Sequence, residues 1–421
     1  MRGSEVVISG VGVVSPIGVG REAFWAALLA GRSGVGRISG LDASPLPVRV
    51  AAEVRGFDPK AFIANRKSLK VMSRDAQLGM AAAALACRDA GLAAGGVDPD
   101  RFGIVLGADR ICGPISESEV TYGGCFVDGR FQFQRWVSSA MASYPLGFLR
   151  VLPNMIASHI SIVHDARGPN NTIHQSEISS LLAVHEAAGV IDRGVADVMM
   201  AGGASSQLHV FDYVRRSAMG ILSPREEDPA AVSRPFDAGR DGQVWGEGAA
   251  ILILEARRHA EARGARIHAR LPAGAATCES AAHNGYCQGG SLGRAMQLAL
   301  ERAGLRAADV GHVNAHGLST VRDDRIEAKA IHATLPGVPV TALKSYFGNL
   351  GAAGAAMQLA ASVLAFRQGQ VPATLNYERP DPECPVPVIR GGPMPSAAAA
   401  ALALAWMPVG QAAALVVAAP G

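Results

Sequence analysis

The sequence predicts an α/β fold in which two related halves share a core built around β-strands. Short apolar runs rich in β-branched residues alternate with alanine-rich helical stretches, a pattern typical of strands buried on both faces. Apolar residues make up 49% of the 421 residues and charged residues only 18%, so most of the chain can form a core. The alternation runs twice, ending first near Glu255 and starting again after the charged stretch 256–269. We therefore expect two halves, 1–255 and 256–421.

The apolar runs and the alanine-rich stretches predict the individual elements. The expected strands are 6–11, 103–107, 198–202, 250–254, 312–315, 338–342 and 413–418. The expected helices are 76–90, 179–193, 293–303 and 354–367. Segment 112–146 is rich in aromatic residues, serine and glycine and shows no clear period. We expect it to be an irregular insertion that caps one face, where substrate or partner contacts are often found.

The composition argues against nucleic-acid and membrane partners. A net charge of +3 does not indicate the strongly basic character that binding to nucleic acid or to an anionic membrane requires. The apolar segments 352–366 and 397–409 are shorter than the ~20 residues of a spanning helix, and Gln358 and Pro408 interrupt them. No signal peptide precedes the first apolar run, so we expect a cytoplasmic protein without a membrane span. Its cysteines show no CxxC pairing and are expected to be reduced thiols: Cys87, Cys112, Cys125, Cys278, Cys287 and Cys384.

A short glycine motif follows the first predicted strand. Gly10-Val11-Gly12 lacks the third glycine that a dinucleotide-binding loop requires at the correct spacing. We interpret the motif as a tight turn after that strand. No cofactor is predicted.

Several blocks, in a fixed order over nearly the whole chain, carry a family resemblance. In the first half they are 6–16 (VVISGVGVVSP), 152–155 (LPNM), 168–170 (GPN), 233–237 (SRPFD), 240–242 (RDG) and 246–248 (GEG). In the second half they are 314–317 (NAHG) with 319–320 (ST), Asp324 and Glu327, then 344–345 (KS), Gly348 and 351–354 (GAAG). The chain resembles the β-ketoacyl synthases of the elongating type. The resemblance implies a thiolase-like fold of duplicated, layered α-β-α-β-α halves and an acyl carrier protein as partner.

The chain departs from the family where the chemistry takes place. The resemblance makes His316 the first catalytic histidine and Lys344 the active-site lysine. Counting from Gly168-Pro169-Asn170, however, the position of the nucleophilic cysteine holds Glu177, and the second histidine position holds Asn349. The glycine-rich gating loop near the C-terminus is replaced by 406–410 (WMPVG). The expected site is therefore Glu177, His316, Asn349 and Lys344.

These replacements remove the groups that condensation needs. The reaction requires a thiolate, activated by a helix N-terminus, to carry the acyl chain. Glu177 is a poor nucleophile, and the same helix end stabilises its negative charge by ~0.3–1 kcal/mol. Asn349 donates a hydrogen bond but moves no proton. Pro408 lacks the N–H that a loop uses to stabilise an oxyanion. We expect no acyl transfer through this site.

Several residues have structural interpretations beside the functional ones. Glu177 and His316 can be a buried pair that serves only the fold. Two pairs could suggest a metal site, His174 with Glu177 and His159 with His164. Neither pair has a third converging ligand. Asp324 and Glu327 are interpreted as salt-bridged scaffold. The pair Arg215-Arg216 is either solvated surface or a dock for a carrier protein.

Three functional hypotheses follow. The first is a non-condensing subunit resembling the chain-length factors of two-subunit polyketide systems, in which a defective copy pairs with an active synthase. The second is an enzyme with altered acyl chemistry. Malonyl decarboxylation fits poorly, because a carboxylate ~5 Å from that of malonate costs ~3 kcal/mol at an effective dielectric of ~20. General-base catalysis by Glu177 with His316 stays open. The third is a binding or scaffold protein outside lipid or polyketide synthesis.

The resemblance also predicts assembly. Related folds pair two subunits through edge strands near the nucleophile, and segment 160–173 is apolar enough to serve as that edge. We expect a homodimer when the chain is expressed alone and, under the first hypothesis, a heterodimer with an active ketosynthase.

Overall fold

The computed structural model describes residues 5–93, 95–142, 144–280 and 287–421. Its helices are α1 Arg21–Leu29, α2 Arg74–Asp89, α3 Ile115–Gly123, α4 Trp136–Ala140, α5 Met155–His164, α6 Ser179–Asp192, α7 Val210–Ala218, α8 Arg257–Ala262, α9 Gly290–Ala303, α10 Val321–Thr334, α11 Lys344–Phe347 and α12 Gly354–Gln368. Its strands are β1 Val6–Ser15, β2 Gly18–Val19, β3 Val35–Arg37, β4 Val50–Ala52, β5 Phe102–Gly107, β6 Phe126–Val127, β7 Arg130–Phe131, β8 Asn170–Ile173, β9 Val198–Ser206, β10 Glu247–Ala256, β11 Ala269–Cys278, β12 Val310–Asn314, β13 Val340–Thr341, β14 Gln370–Val371, β15 Met394–Pro395, β16 Ala400–Trp406 and β17 Gln411–Ala418.

The main sheet repeats one topology in the two halves of the chain. Its order is β13-β12-β16-β17-β11-β1-β10-β9-β5-β8. We number the five strands that each half contributes in chain order. From the outer edge of the sheet to its centre, both halves then follow the order third, second, fourth, fifth, first. In each half the outer two pairings are parallel and the inner two antiparallel. The halves meet where β1 pairs with β11. This repeat confirms the duplicated α/β fold expected from the sequence.

Two helices lie between the halves. Helix α6 contacts β5 and β9 of the first half and β17 and β11 of the second, and α12 contacts β10 as well as β16. Helices α2 and α5 cover the outer face of the first half, while α9 covers that of the second and packs against α10. The result is an α-β-α-β-α layering. Alanine fills much of α12, so the helix is buried almost throughout.

The Gly10-Val11-Gly12 motif is not a turn, and the sequence-based interpretation was wrong on this point. Both glycines lie inside β1, which runs on to Ser15. Helix α2 packs so closely against this strand that a Cβ on Gly12 would lie 1.9 Å from the carbonyl oxygen of Ala82. The glycines therefore permit a close contact between strand and helix.

Every other predicted element is present, with ends that shift by a few residues, but two predicted segments need correction. Segment 112–146 is more regular than expected, because it contains α3, α4 and the β6–β7 hairpin. Segment 160–173 is not one buried edge strand. Its first part is the end of α5, and only β8 pairs with β5 at the edge of the sheet. The sequence analysis also did not identify β11 and β16.

Candidate functional site

The four residues predicted as the site converge between the two halves of the fold. Glu177 precedes the buried helix α6, and His316 follows the end of β12. Lys344 begins α11, and Asn349 lies shortly before α12. Hydrogen bonds join Glu177 to His316 and His316 to Lys344, and Asn349 also bonds to Glu177. The convergence follows from the fold, because both buried helices begin at the same interior region.

A strained turn directs Glu177 into the interior. Ser176 adopts a left-handed conformation with φ of 50°, which is uncommon for a residue other than glycine. The hydroxyl of Ser179 stabilises this turn, since it accepts from the backbone N–H of Gln175 at 2.8 Å and donates to the carbonyl of Ser176 at 2.6 Å. As a result the Glu177 residue is only 8% exposed.

A hydrogen-bonded chain runs from Lys344 through His316 to Glu177. The ammonium of Lys344 donates to His316 Nδ1 at 3.0 Å, to the His316 carbonyl at 2.5 Å and to Gln358 Oε1 at 3.2 Å, so all three of its protons have acceptors. Since Nδ1 accepts from Lys344, the ring proton lies on Nε2, which donates to Glu177 Oε2 at 2.8 Å. His316 is thereby fixed in one tautomer and orientation.

The charges along this chain are fixed near neutral pH. Burial acts to raise the pKa of Glu177, but the hydrogen bond of His316, the charge that its ring gains below about pH 4, the Lys344 ammonium and a hydrogen bond from Asn349 lower that pKa to about 2. Burial, together with Lys344, lowers the pKa of His316 to about 4, against the opposing effect of Glu177. Burial also lowers the pKa of Lys344. The arrangement near neutral pH is an ionised Glu177, a neutral His316 and a Lys344 ammonium.

Asn349 is held as rigidly as the other three residues. Its Nδ2 donates to Gln243 Oε1 at 3.0 Å, and its Oδ1 accepts from the backbone N–H of Gly351 at 3.2 Å. Its own backbone N–H donates to the carbonyl of Val244 at 2.7 Å. A side-chain amide in this position orients a neighbouring carboxylate but transfers no proton.

Two further carboxylates support the backbone around His316. Glu327 accepts from the backbone N–H groups of His316 and Gly317, at 2.6 Å and 2.8 Å. Asp324 forms the expected ion pair, with 3.4 Å between its Oδ2 and Arg240 Nε. Burial raises the pKa of both carboxyls, that of Asp324 to about 6. Asp324 therefore agrees with the salt-bridge prediction, whereas Glu327 serves the scaffold through backbone hydrogen bonds.

Segment 406–410, which the resemblance places where the family has its gating loop, is a tight turn between β16 and β17. Gly410 has φ of 108°, and a Cβ there would lie 2.1 Å from the carbonyl oxygen of Glu279, so the turn requires glycine. Met407 and Val409 line a surface cleft of about 410 Å³. The cleft also reaches Ser176, the residue before Glu177.

Sequence reasoning missed a second polar group beside the site. Asp109 Oδ2 accepts from the backbone N–H of Ala352 at 2.7 Å and from Gln207 Nε2 at 2.9 Å. Asp109 follows β5 and Gln207 follows β9, two parallel neighbours in the sheet. Polar residues after adjacent parallel strands meet at one edge, so this spacing was the available signal.

One group of possible metal ligands occurs within the described residues. The ligand atoms of Cys112, His209 and Asp212 all lie within 4.8 Å of one another. Asp212 is already paired with Arg110 and Arg215. One ring nitrogen of His209 bonds to the carbonyl of Gly113, and the other accepts from a backbone N–H. The group is satisfied as it stands and does not resemble an open ligand set.

The fold and the site together define the class of protein. A duplicated sheet with two helices buried between its halves, and a polar site where those helices begin, is the thiolase-like architecture. The chain belongs to the β-ketoacyl synthase family. The family model for the N-terminal domain of beta-ketoacyl synthase matches residues 3–260, and the model for the C-terminal domain matches residues 268–378.

Three known proteins illustrate the similarity. The tetracenomycin polyketide synthase ketoacyl synthase alpha subunit of Streptomyces glaucescens is 35% identical over 390 residues, covering 90% of this chain and 89% of that protein. The solved ishigamide ketosynthase/chain length factor superposes with a TM-score of 0.88 at 29% identity and full coverage of both chains. A third structure, of AntDE with the type II polyketide carrier protein AntF, gives a TM-score of 0.84 at 28% identity, covering 99% of this chain and 100% of that one.

These matches place the chain among the ketosynthase-like proteins of polyketide or fatty acid biosynthesis. No helix formed by the described residues has both the length and the apolar character needed to cross a membrane.

Proposed function

We propose that this chain is a non-condensing ketosynthase-like subunit of fatty acid or polyketide biosynthesis that pairs with an active β-ketoacyl synthase, as chain-length factors do. The observation that carries this proposal is the ionised Glu177 at the position of the family's nucleophile, hydrogen-bonded to His316 at 2.8 Å. An acyl chain on that carboxylate would form a hydrolysable anhydride instead of a thioester. The negative charge of Glu177 repels the carboxylate of a malonyl donor. The Lys344 ammonium helps to keep Glu177 ionised.

The alternative, an enzyme with altered acyl chemistry, finds little support in the same geometry. A general base works best when its pKa lies near the operating pH. The pKa of Glu177 is lowered to about 2, and Nε2 of His316 carries a proton that already bonds to Glu177. Neither group is available to remove a proton from a substrate near neutral pH.

The surface of the first half supports pairing with another chain. Strand β8 forms the open edge of the sheet, and its first two residues, Asn170 and Asn171, are exposed. Segment 115–152 of the same half exposes many large apolar side chains: Ile115, Val120, Tyr122, Phe126, Phe131, Phe133, Val137, Met141, Tyr144, Leu146, Phe148 and Leu152. Apolar patches of this kind mark interaction sites, and obligate dimer interfaces commonly bury more than ~2,000 Å².

The partner's identity is proposed from relatives. The ishigamide structure is described as a ketosynthase/chain length factor, and AntF is described as a carrier protein in complex with its ketosynthase. We extend both relationships to this chain, which gives it an active ketosynthase and an acyl carrier protein as partners. A homodimer remains the expected state when the chain is expressed alone.

Co-expression with a family member that retains the nucleophilic cysteine tests the proposal. We expect a heterodimer by native mass spectrometry, and a product that requires both chains. Replacing the partner's cysteine with alanine abolishes the product, whereas Glu177→Gln in this chain preserves it. Glu186→Gln, a surface change on α6, is the matched control. Product formed by this chain alone, or with the cysteine-less partner, would contradict the proposal.

A further inference from the structure

Arg216 on helix α7 is an unusual cation beside the site. Its guanidinium carbon lies 3.4 Å from the centroid of the Trp245 ring, and Trp245 is only 1% exposed. Its Nε is buried and, within the described residues, has no hydrogen-bond partner. Burial lowers the pKa of Arg216, while the charges of Glu177 and Asp109 oppose that shift. The stack on Trp245 is therefore the contact that positions this side chain.

The neighbouring arginine, Arg215, differs in its exposure and in its pairing. The Arg215 side chain is 52% exposed and pairs with Asp212 at 3.5 Å. Both arginines line the cleft of about 410 Å³ in front of the site. Arg215 thus supplies a matched reference on the same helix and at the same cleft.

The position of Arg216 relates the cleft to the buried carboxylate. Arg216 and Ser176 both line the cleft, and Glu177 follows Ser176 directly. Arg216 also lies close enough to Glu177 for their charges to interact. Trp245, on which the guanidinium stacks, pairs through its backbone with Asn349 of the site. Arg216 therefore lines the cleft next to the Glu177–Asn349 side of the polar site.

We propose that Arg216 is a gate: stacked on Trp245, it closes the route from the cleft to Glu177, and rotation off the indole opens that route. A side chain held by a ring stack, without an ion pair among the described residues, moves without breaking a hydrogen bond. This closure goes beyond the proposed function and holds whether or not the chain pairs with an active synthase.

The access of a small reagent to position 177 tests the gate. The variant Glu177→Cys places a thiol there, and iodoacetamide, a small neutral reagent, reports how often that thiol meets solvent. Peptide mass spectrometry separates this site from the native cysteines. The exposed Cys278 serves as an internal reference for reagent activity.

We expect Arg216→Ala in the Glu177→Cys background to accelerate alkylation at position 177 by at least roughly tenfold, because access to a buried group follows its opening equilibrium. Arg215→Ala in the same background should leave the rate unchanged. Loss of the Arg216 charge raises the thiol's pKa and slows alkylation, so an acceleration reports greater access to position 177 and not a more reactive thiol.

Equal rates with Arg216 and with alanine at that position would overturn the gate, as would an equal acceleration by Arg215→Ala. Circular dichroism checks that each variant is folded. If Arg216→Ala does not fold, Arg216→Gln, which also removes the charged planar group, carries the same comparison. Its alkylation rate must then exceed that of the Glu177→Cys parent, and an unchanged rate would reject the gate.

Discussion

Glu177 and Glu327 are both buried carboxylates bonded to His316, yet their surroundings act on them in opposite directions. Glu177 accepts from the imidazole Nε2 at 2.8 Å, whereas Glu327 accepts from the backbone N–H at 2.6 Å. Burial favours the neutral form of each. For Glu177 the ring, Lys344 and Asn349 outweigh burial and lower the pKa to about 2. For Glu327 the backbone donors do not outweigh burial and the nearby Asp324, and the pKa stays raised.

This difference separates the roles of the two carboxylates: Glu177 acts through its negative charge, whereas Glu327 supports the backbone. Glu177 is an anion near neutral pH and is linked through His316 to the Lys344 ammonium. Under the proposed function it stands at the position of the family's nucleophile. Glu327 holds the backbone turn that carries His316 and tolerates protonation. Under the proposed function, a carboxylate in place of the family's thiolate leaves the site well ordered, because the Lys344–His316–Glu177 chain satisfies every charged group within it.

Among the predicted changes, we expect removal of the buried Lys344 ammonium to have the largest effect on the free energy of unfolding. Lys344→Met leaves Glu177 buried without its cation, and we expect a loss of about 3–5 kcal/mol in the free energy of unfolding. Urea denaturation at neutral pH measures it. The control Lys329→Met removes a lysine that is 59% exposed and paired with Glu383, and should cost ~0–1 kcal/mol. Similar losses in the two variants would contradict the assigned role of Lys344.

The pH dependence of Glu177→Gln tests the lowered pKa. Because the folded pKa of about 2 lies below the ordinary glutamate value of 4.5, ionisation of Glu177 stabilises the fold above pH 4.5. That contribution, roughly 3 kcal/mol, is lost as the pH falls through 4.5 toward 2. The stability advantage of the parent chain over Glu177→Gln should therefore shrink on acidification, and an advantage that is constant with pH would contradict the shift.

Glu327→Gln should show the opposite slope. A raised pKa means that the folded state holds its proton more tightly, so the parent loses stability as the pH rises above the ordinary glutamate pKa of 4.5. The variant lacks this loss. Unfolding curves at a series of pH values should show the difference between parent and variant falling with rising pH. A slope of the same sign as for Glu177→Gln would remove the contrast between the two glutamates.

The smallest effect is expected from restoring the cysteine alone. Glu177→Cys should not give a competent synthase, because Asn349 cannot act as the second histidine and the 406–410 turn replaces the gate. Catalytic groups act as a unit, so a single restoration recovers little rate. A condensation assay with acyl and malonyl carrier thioesters measures this. Turnover within roughly tenfold of an active relative would mean that Asn349 and the turn matter little.

The convergence of the four candidate residues could be predicted from the sequence, whereas their surroundings could not. Glu177, His316, Lys344 and Asn349 were identified because each falls in a block with a fixed order along the chain. Asp109 was missed because its position after a strand becomes a signal only once β5 and β9 are known to be neighbours in the sheet. The Gly12 interpretation failed for a similar reason, because the close approach of α2 is a tertiary contact.

Intact mass spectrometry after incubation with acyl carrier thioesters tests the central claim most directly. The account predicts an unchanged mass, because an ionised Glu177 paired with His316 offers no thiolate for acylation. A cysteine-containing relative treated in parallel should gain the acyl mass and shows that the reagent is active. A stable added acyl mass on this chain, mapped to a residue of the site, would contradict the non-condensing role.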